Sequence, residues 1–215
     1  MKYYPLQAAG FLPETMILAN GSFPKHPVLL EWLTKCDYIV CCDGAVDDFL
    51  QLGRKPAAIV WDCDSLSAVT KSLYADILYP DSDQETNDLT KSVRYCMSRG
   101  RNNIKIVGAT GKREDHTLGN ISLLSDYYNE VQVEMVTDYG VFTPINEAST
   151  FESFAGQQVS LFSMDASPLS VVGLKYPIKD KYYDRLWQGT LNESLGSEFT
   201  ILPSGKVIVY RVFNS

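Results

Sequence analysis

The stretch from Val60 to Lys91 concentrates side chains that could do chemistry. Trp61-Asp62-Cys63-Asp64-Ser65 comes first, and Asp81-Ser82-Asp83-Gln84-Glu85-Thr86-Asn87-Asp88-Leu89-Thr90-Lys91 follows. Asp62 and Asp64 flank a single residue, so on an extended segment they project to the same side and can share one hard cation through carboxylate oxygens. Asp83 and Asp88 stand beside a helix start capped by Asn87 or Thr86, where the positive end of the helix dipole favours a carboxylate or a phosphate. Lys91 lies one turn beyond Asp88, placed to reach a phosphate or to pair with that acid. An isolated Asp-x-Asp is more often a polar turn after a strand. The second cluster is what points to magnesium with a polyphosphate.

The elements around this stretch would have to position it. Apolar runs at Thr15–Asn20, Tyr38–Cys42, Ala57–Trp61, Asn103–Val107 and Val131–Thr137 read as buried strands. Between them, helical spacing begins near Pro27, resumes over Val46–Leu52 until Gly53, runs from Asn87 to about Arg99 before Gly100, and returns over Thr117–Tyr128. Continuously apolar strands alternating with helices predict an α/β fold, a mostly parallel sheet flanked by helices, Rossmann-like, over residues 1–139. Ligands of such sheets bind beyond the carboxyl ends of the strands, so Asn20-Gly21, Asp43-Gly44 and Asp62-Cys63-Asp64 should gather along one edge. The loop Gly108-Ala109-Thr110-Gly111-Lys112-Arg113-Glu114-Asp115-His116 follows the fourth strand and fits neither a P-loop nor a dinucleotide fingerprint. Arg113 could grip a phosphate from two sides or be a solvated loop arginine. Asp115 could equally be a helix N-cap, with His116 as surface or core filler.

From about residue 140 the texture changes to short β-prone runs, at Gln158–Phe162, Ser170–Leu174, Phe199–Leu202 and Lys206–Phe213, broken by Gly, Pro and Ser turns. Residues 140–215 therefore read as a smaller all-β sandwich domain. Its aromatics Tyr176, Tyr182, Tyr183 and Trp187 could stack on a flat heterocycle, fill the sandwich core or form a dimer interface.

The net charge of −7 leaves no basic stripe for a phosphate backbone, which argues against nucleic acid as a partner. Five cysteines, an odd number with none in a CxxC pair, argue against a disulfide framework or a zinc site and read as small buried hydrophobes. No apolar run approaches the roughly 20 residues of a membrane span. The first stretch, broken by Pro5, Pro13 and Glu14, lacks a signal-peptide core, so a cytoplasmic location is expected.

Taken in order, Asp43-Gly44-Ala45, Asp62-x-Asp64-Ser65, Asp83-Gln84 with Asp88 and Lys91, and Gly108-x-x-Gly111-x-Arg113-x-Asp115-His116-Thr117-x-x-Asn120 resemble the thiamine pyrophosphokinase family. Gly173-Leu174-Lys175-Tyr176 is similar to that family's thiamine-domain stretch. The resemblance implies a nucleotide-binding catalytic domain over 1–139, and a β-sandwich over 140–215 that binds thiamine and dimerises. The implied reaction moves the pyrophosphoryl group of ATP to the hydroxyl of thiamine, with Mg2+ and release of AMP, in a homodimer. It implies Asp62, Asp64 and Asp88 as catalytic magnesium ligands. Asp43, Gln84, Asn87, Lys91, Gly108, Gly111 and Arg113 would line ATP and its polyphosphate, and Asp115, His116 and Asn120 would meet thiamine. This chain has Trp61 where the family usually shows glycine and Asn87 where it shows threonine, which predicts altered detail with activity retained. Another magnesium-dependent phosphotransferase acting on a small alcohol, or a non-catalytic thiamine or nucleotide sensor, are the alternatives.

Overall fold

The computed structural model describes residues 1–7, 10–61 and 68–213. The chain is a mixed α/β protein and divides into two compact units. One unit gathers Gly10–Leu123 with Asn129–Asp138; the other gathers Met1–Ala9, Leu124–Tyr128 and Tyr139–Ser215. The first strand, β1 (Lys2–Tyr4), belongs to the second of these.

The first unit is built on β2 (Met16–Leu18), β3 (Ile39–Cys42), β4 (Ala58–Trp61), β5 (Leu78–Pro80), β6 (Asn103–Val107) and β7 (Gln132–Val136). They pair in the order β5-β4-β3-β2-β6-β7, every pairing parallel. The helices are α1 (Pro27–Lys35), α2 (Ala45–Leu50), α3 (Ala68–Leu73), α4 (Asp88–Ser98) and α5 (Glu114–Tyr127), whose residues from Leu124 on belong to the other unit. β2 and β3 are buried at every position, as expected of strands covered on both faces. Pro27 opens α1 where a missing N–H costs nothing, and His26 caps it by accepting from the Val28 amide at 3.3 Å. Leu29, Trp32 and Leu33 form its buried stripe. α4 buries Leu89, Ser92, Val93 and Cys96 at helical spacing, and Lys91 with them.

Two segments of this unit carry no signal in the apolar pattern. β5 is an edge strand of three residues, more exposed than its neighbours, and the single turn Ala75–Ile77 precedes it. The helix read as Thr117–Tyr128 starts three residues earlier, at Glu114, because the Thr117 amide already closes a turn onto the Arg113 carbonyl at 3.1 Å. Asp115 therefore lies in the first turn rather than at the N-cap, where its charge still suits the dipole.

The second unit holds β8 (Gly140–Ile145), β9 (Ser149–Glu152), β10 (Gln158–Ser163), β11 (Leu169–Val172), β12 (Ile178–Lys181), β13 (Asn192–Glu193), β14 (Glu198–Pro203) and β15 (Val207–Val212). One sheet runs β1-β9-β14-β11-β12, and a second set pairs in the order β13-β10-β15-β8. All pairings are antiparallel except β1 on β9. Tyr4, Phe151, Phe199 and Ile201 from the first set and Ile145, Val159, Leu161, Val207 and Val209 from the second share one core. Tyr4 stacks on Phe151 at 4.9 Å and Phe151 on Phe199 at 5.1 Å, each contact adding about 1 kcal/mol beyond area burial. Arg211, buried, donates to the carbonyls of Glu152 at 2.8 Å and Tyr4 at 3.3 Å, which ties β1 to the rest. Among the described residues no helix is long and apolar enough to cross a membrane.

Candidate functional site

Strand order in the first unit reverses between β2 and β6: from β2 the chain moves through α1 to β3, and from β6 through α5 to β7, which lies on the opposite side. The two outgoing loops diverge there and leave a crevice at the carboxyl edge. Backbone bonds fasten the loops at its base, from the Ala19 amide to the Val107 carbonyl (2.9 Å), from Gly21 to Gly108 (2.6 Å) and from Ser22 to Thr110 (2.8 Å). Glycine is required at this seam. A Cβ on Gly21 would run into the Gly108 and Thr110 carbonyl oxygens, and one on Gly108, whose φ is +65°, would lie 2.8 Å from the Ala19 oxygen.

A cavity of about 630 Å³ opens over this seam. Asn20 and Gly21 come soon after β2, Cys42 ends β3 and Asp43 follows it, Gln84, Thr86 and Asn87 lead into α4, whose Asp88, Leu89 and Lys91 join them, and the remaining wall comes from the β6–α5 loop and α5. The loop ahead of α4 is shaped by its own acids. Asp83 accepts from the Glu85 amide at 2.9 Å and the Thr86 hydroxyl at 2.8 Å, and these bonds hold its carboxyl below its usual range. Asp81 accepts from the Asp83 amide at 3.1 Å. Asn87 caps α4 through a 2.9 Å bond from the Thr90 amide.

Among the described residues of the lining, Lys91 is the buried cation: its side chain is 2 % exposed, with Nζ 3.7 Å from Asp88 Oδ1. Asp43, the residue after β3, takes the left-handed region at φ +40°, an unusual conformation for a residue with a Cβ, and its amide donates to the Val60 carbonyl at 2.8 Å. Cys42 lies beneath, its sulfur 3.0 Å from the Ser92 hydroxyl. Burial pushes its thiol up to about 12, so it serves as packing and not as a nucleophile. Cys36, Cys41 and Cys96 are likewise buried free thiols raised by desolvation.

On the opposite wall Arg113 donates from Nε and Nη2 to the two carboxylate oxygens of Asp115, at 3.0 and 2.5 Å. With a further bond from the His116 amide, this draws the Asp115 carboxyl down to about 2. Asn120 donates to the Ala109 carbonyl at 2.9 Å and so fixes α5 against the loop.

The sequence-derived candidates Asp43, Gln84, Asn87, Asp88, Lys91, Gly111, Arg113, Asp115, His116 and Asn120 all line this one cavity, and Gly108 lies in the seam beneath it. Asp62 and Asp64 lie outside the described residues, as does Cys63. Asn20, Thr86 and Lys112 also line the cavity. Their signal in the sequence was position alone: a polar residue at a strand end, a hydroxyl beside a cap, and a cation after a glycine.

Comparison with known proteins finds likeness in both units. The family model for the thiamin pyrophosphokinase catalytic domain matches residues 29–136, and the one for the thiamin pyrophosphokinase substrate-binding domain matches residues 140–210. Thiamine pyrophosphokinase 1 of rice is 27% identical over 192 residues, covering 75% of this chain and 72% of the relative. Thiamine pyrophosphokinase of Bacillus subtilis is 25% identical over 181 residues, covering 76% and 81%. In fold, the B. subtilis thiamine pyrophosphokinase structure superposes with a TM-score of 0.77 at 20% identity over 94% of this chain and 100% of that one. The Candida albicans thiamin pyrophosphokinase gives 0.76 at 20% identity over 99% and 93%. With catalytic and substrate-binding parts matched in order over most of its length, the chain belongs to the thiamin pyrophosphokinase family.

Proposed function

We propose that the cavity beyond β2 and β6 holds ATP, that thiamine meets Asp115 beside it, and that these residues carry the family's reaction, transfer of the pyrophosphoryl group of ATP to the hydroxyl of thiamine. The observation that carries the assignment is the buried Lys91 in the lining of a cavity built on a glycine seam at the strand-order reversal. An ammonium held out of water there suits the growing charge of a polyphosphate far better than an exposed one would. The first turn of α4 adds its dipole on the same side.

The acidic donors suit a hard cation, because they are all oxygen: Asp43 and Asp88 line the cavity, and Asp62 and Asp64 follow directly on β4, the neighbour of β3. Among the described residues no group of three acids, histidines or cysteines could hold an ion alone, so the assignment leans on that second pair. Asp62, Asp64 and Asp88 are the ligands we assign to magnesium, which when bound supplies charge neutralisation on the phosphates. The chain itself does little covalent work. Lys91 holds phosphate oxygens, the glycine seam lets the backbone approach them, Asp115 stays ionised to receive a cationic substrate, and the walls fix the two reactants in line. Asn87, with its side chain committed to the Thr90 amide, orients the first turn of α4.

The parallel unit is, in this reading, the Rossmann-like nucleotide-binding domain. The β unit takes thiamine in a cytoplasmic homodimer, with exposed Tyr176 and Trp187 as surfaces suited to a flat ring or a second subunit. Asp64→Asn tests the cation assignment: thiamine-dependent release of AMP should fall about a hundredfold or more. Turnover at the wild-type rate would remove Asp64 from it.

A further inference from the structure

We propose that Lys112 is a polyphosphate-binding residue, the cation that meets the nucleotide on the β6 side of the cavity. The inference rests on the reading of that cavity as the ATP site. Its first support is backbone geometry. Gly108, Gly111 and Lys112 all have positive φ, at +65°, +76° and +58°, so the loop coils tightly against the β2 loop and fixes the direction in which residue 112 leaves it. Two of the three are glycines, which take this conformation freely; a lysine takes it at a cost that a glycine would not incur. Strain of this kind at a cavity wall is a reason to look for what the side chain does.

The second support is where the side chain goes. Lys112 Nζ lies 3.0 Å from Asn20 Oδ1, which holds it across the seam in the cavity lining. The Asn20 amide nitrogen in turn sits over Gly44, where a Cβ would come within 3.0 Å.

The third support is charge balance. Arg113, the cation expected to grip phosphate, has two of its donors on Asp115, and Lys91 is paired with Asp88. Lys112 is held by a neutral amide, and among the described residues no carboxylate forms an ion pair with it. An arriving polyanion therefore meets its full charge there. A compact ammonium on a flexible stem can follow phosphate oxygens without the fixed angles a guanidinium demands.

Lys112→Gly and Lys112→Asn test this, since both residues accept the left-handed backbone and neither carries charge. Calorimetric titration with ATP and magnesium chloride should show the dissociation constant raised about tenfold in both variants, within the range of a hydrogen bond to a charged group. Thiamine titrated alone should bind within about twofold of wild type, thermal midpoints should not fall, and the salt dependence of ATP affinity should be shallower in the variants. ATP affinity within about twofold of wild type in both variants would overturn the role of Lys112 while leaving the site reading intact. Absence of ATP binding to the wild-type protein would overturn the site reading and this inference together.

Discussion

Replacing Lys91 by methionine separates that residue's charge from its bulk. The side chain is almost fully enclosed, Asp88 Oδ1 is 3.7 Å from its ammonium, and Leu89, Ser92 and Val93 are buried on the same helix. Methionine occupies a similar volume, and volume-conserving replacements in packed sites cost less than about 1.5 kcal/mol. Exchanging a buried ion for an apolar group is often neutral or better. Removing the partner is different. Asp88→Asn leaves the ammonium buried without its aspartate, which for a fully buried pair costs about 3–5 kcal/mol. Asp88 is 34 % exposed and the separation is long for a hydrogen bond, so about 1–3 kcal/mol is expected. For a chain of this size each kcal/mol moves the thermal midpoint by about 2–4 °C. Lys91→Met should therefore shift it by under about 6 °C and Asp88→Asn lower it by about 2–12 °C. The double variant should recover most of the loss, since no buried charge is stranded. In steady-state assays of AMP release, Lys91→Met should lower kcat/KM for ATP by about 10²–10³, the cost of removing one pre-oriented charge from a phosphoryl-transfer site. If Lys91→Met is as destabilising as Asp88→Asn, or keeps wild-type kcat/KM, the reasoning fails.

Gly21→Ala should destabilise the protein by more than about 3 kcal/mol, because the new methyl meets backbone oxygens of Gly108 and Thr110 that cannot move aside cheaply; a denaturation midpoint close to wild type would contradict the seam. Asp115 should titrate near pH 2 when followed by carboxyl-carbon NMR. Its folded value is depressed, so the interaction with Arg113 and the His116 amide contributes fully above the unfolded value near 3.9 and is lost as pH falls toward 2. Arg113→Gln should move the midpoint up toward about 4, and a midpoint that stays put would show that Arg113 is not the cause.

The parallel framework could be read from the sequence because its strands are continuously apolar and its helices begin and end on local signals. Pro27 opens α1, Asn87 caps α4, and Gly53 and Gly100, both at positive φ, follow the helices they were expected to end. The gathering of Asn20-Gly21 and Asp43 at one edge followed from the fold class, since consecutive parallel strands end on the same side. What escaped depends on distant partners. β1 is three residues long and owes its existence to β9, where Lys2 pairs with Ser149, and to the carbonyl contacts of Arg211. β5 pairs along one edge with β4, rests its Tyr79 ring on Tyr95 of α4, and shows no buried face of its own. The closure of Arg113 onto Asp115 escaped because residues two apart do not face each other within a helix; they meet here because Arg113 stands just outside the first turn of α5. The role inferred for Lys112 needs a backbone angle and a partner 92 positions away, neither of which spacing reveals.

The assignment of pyrophosphoryl transfer rests on the identity of two products. The purified protein, incubated with ATP, thiamine and magnesium chloride and followed by liquid chromatography, should form thiamine pyrophosphate and AMP in equal amounts, with neither appearing when thiamine is left out. ADP with thiamine monophosphate in their place, or no thiamine-dependent consumption of ATP at all, would contradict it.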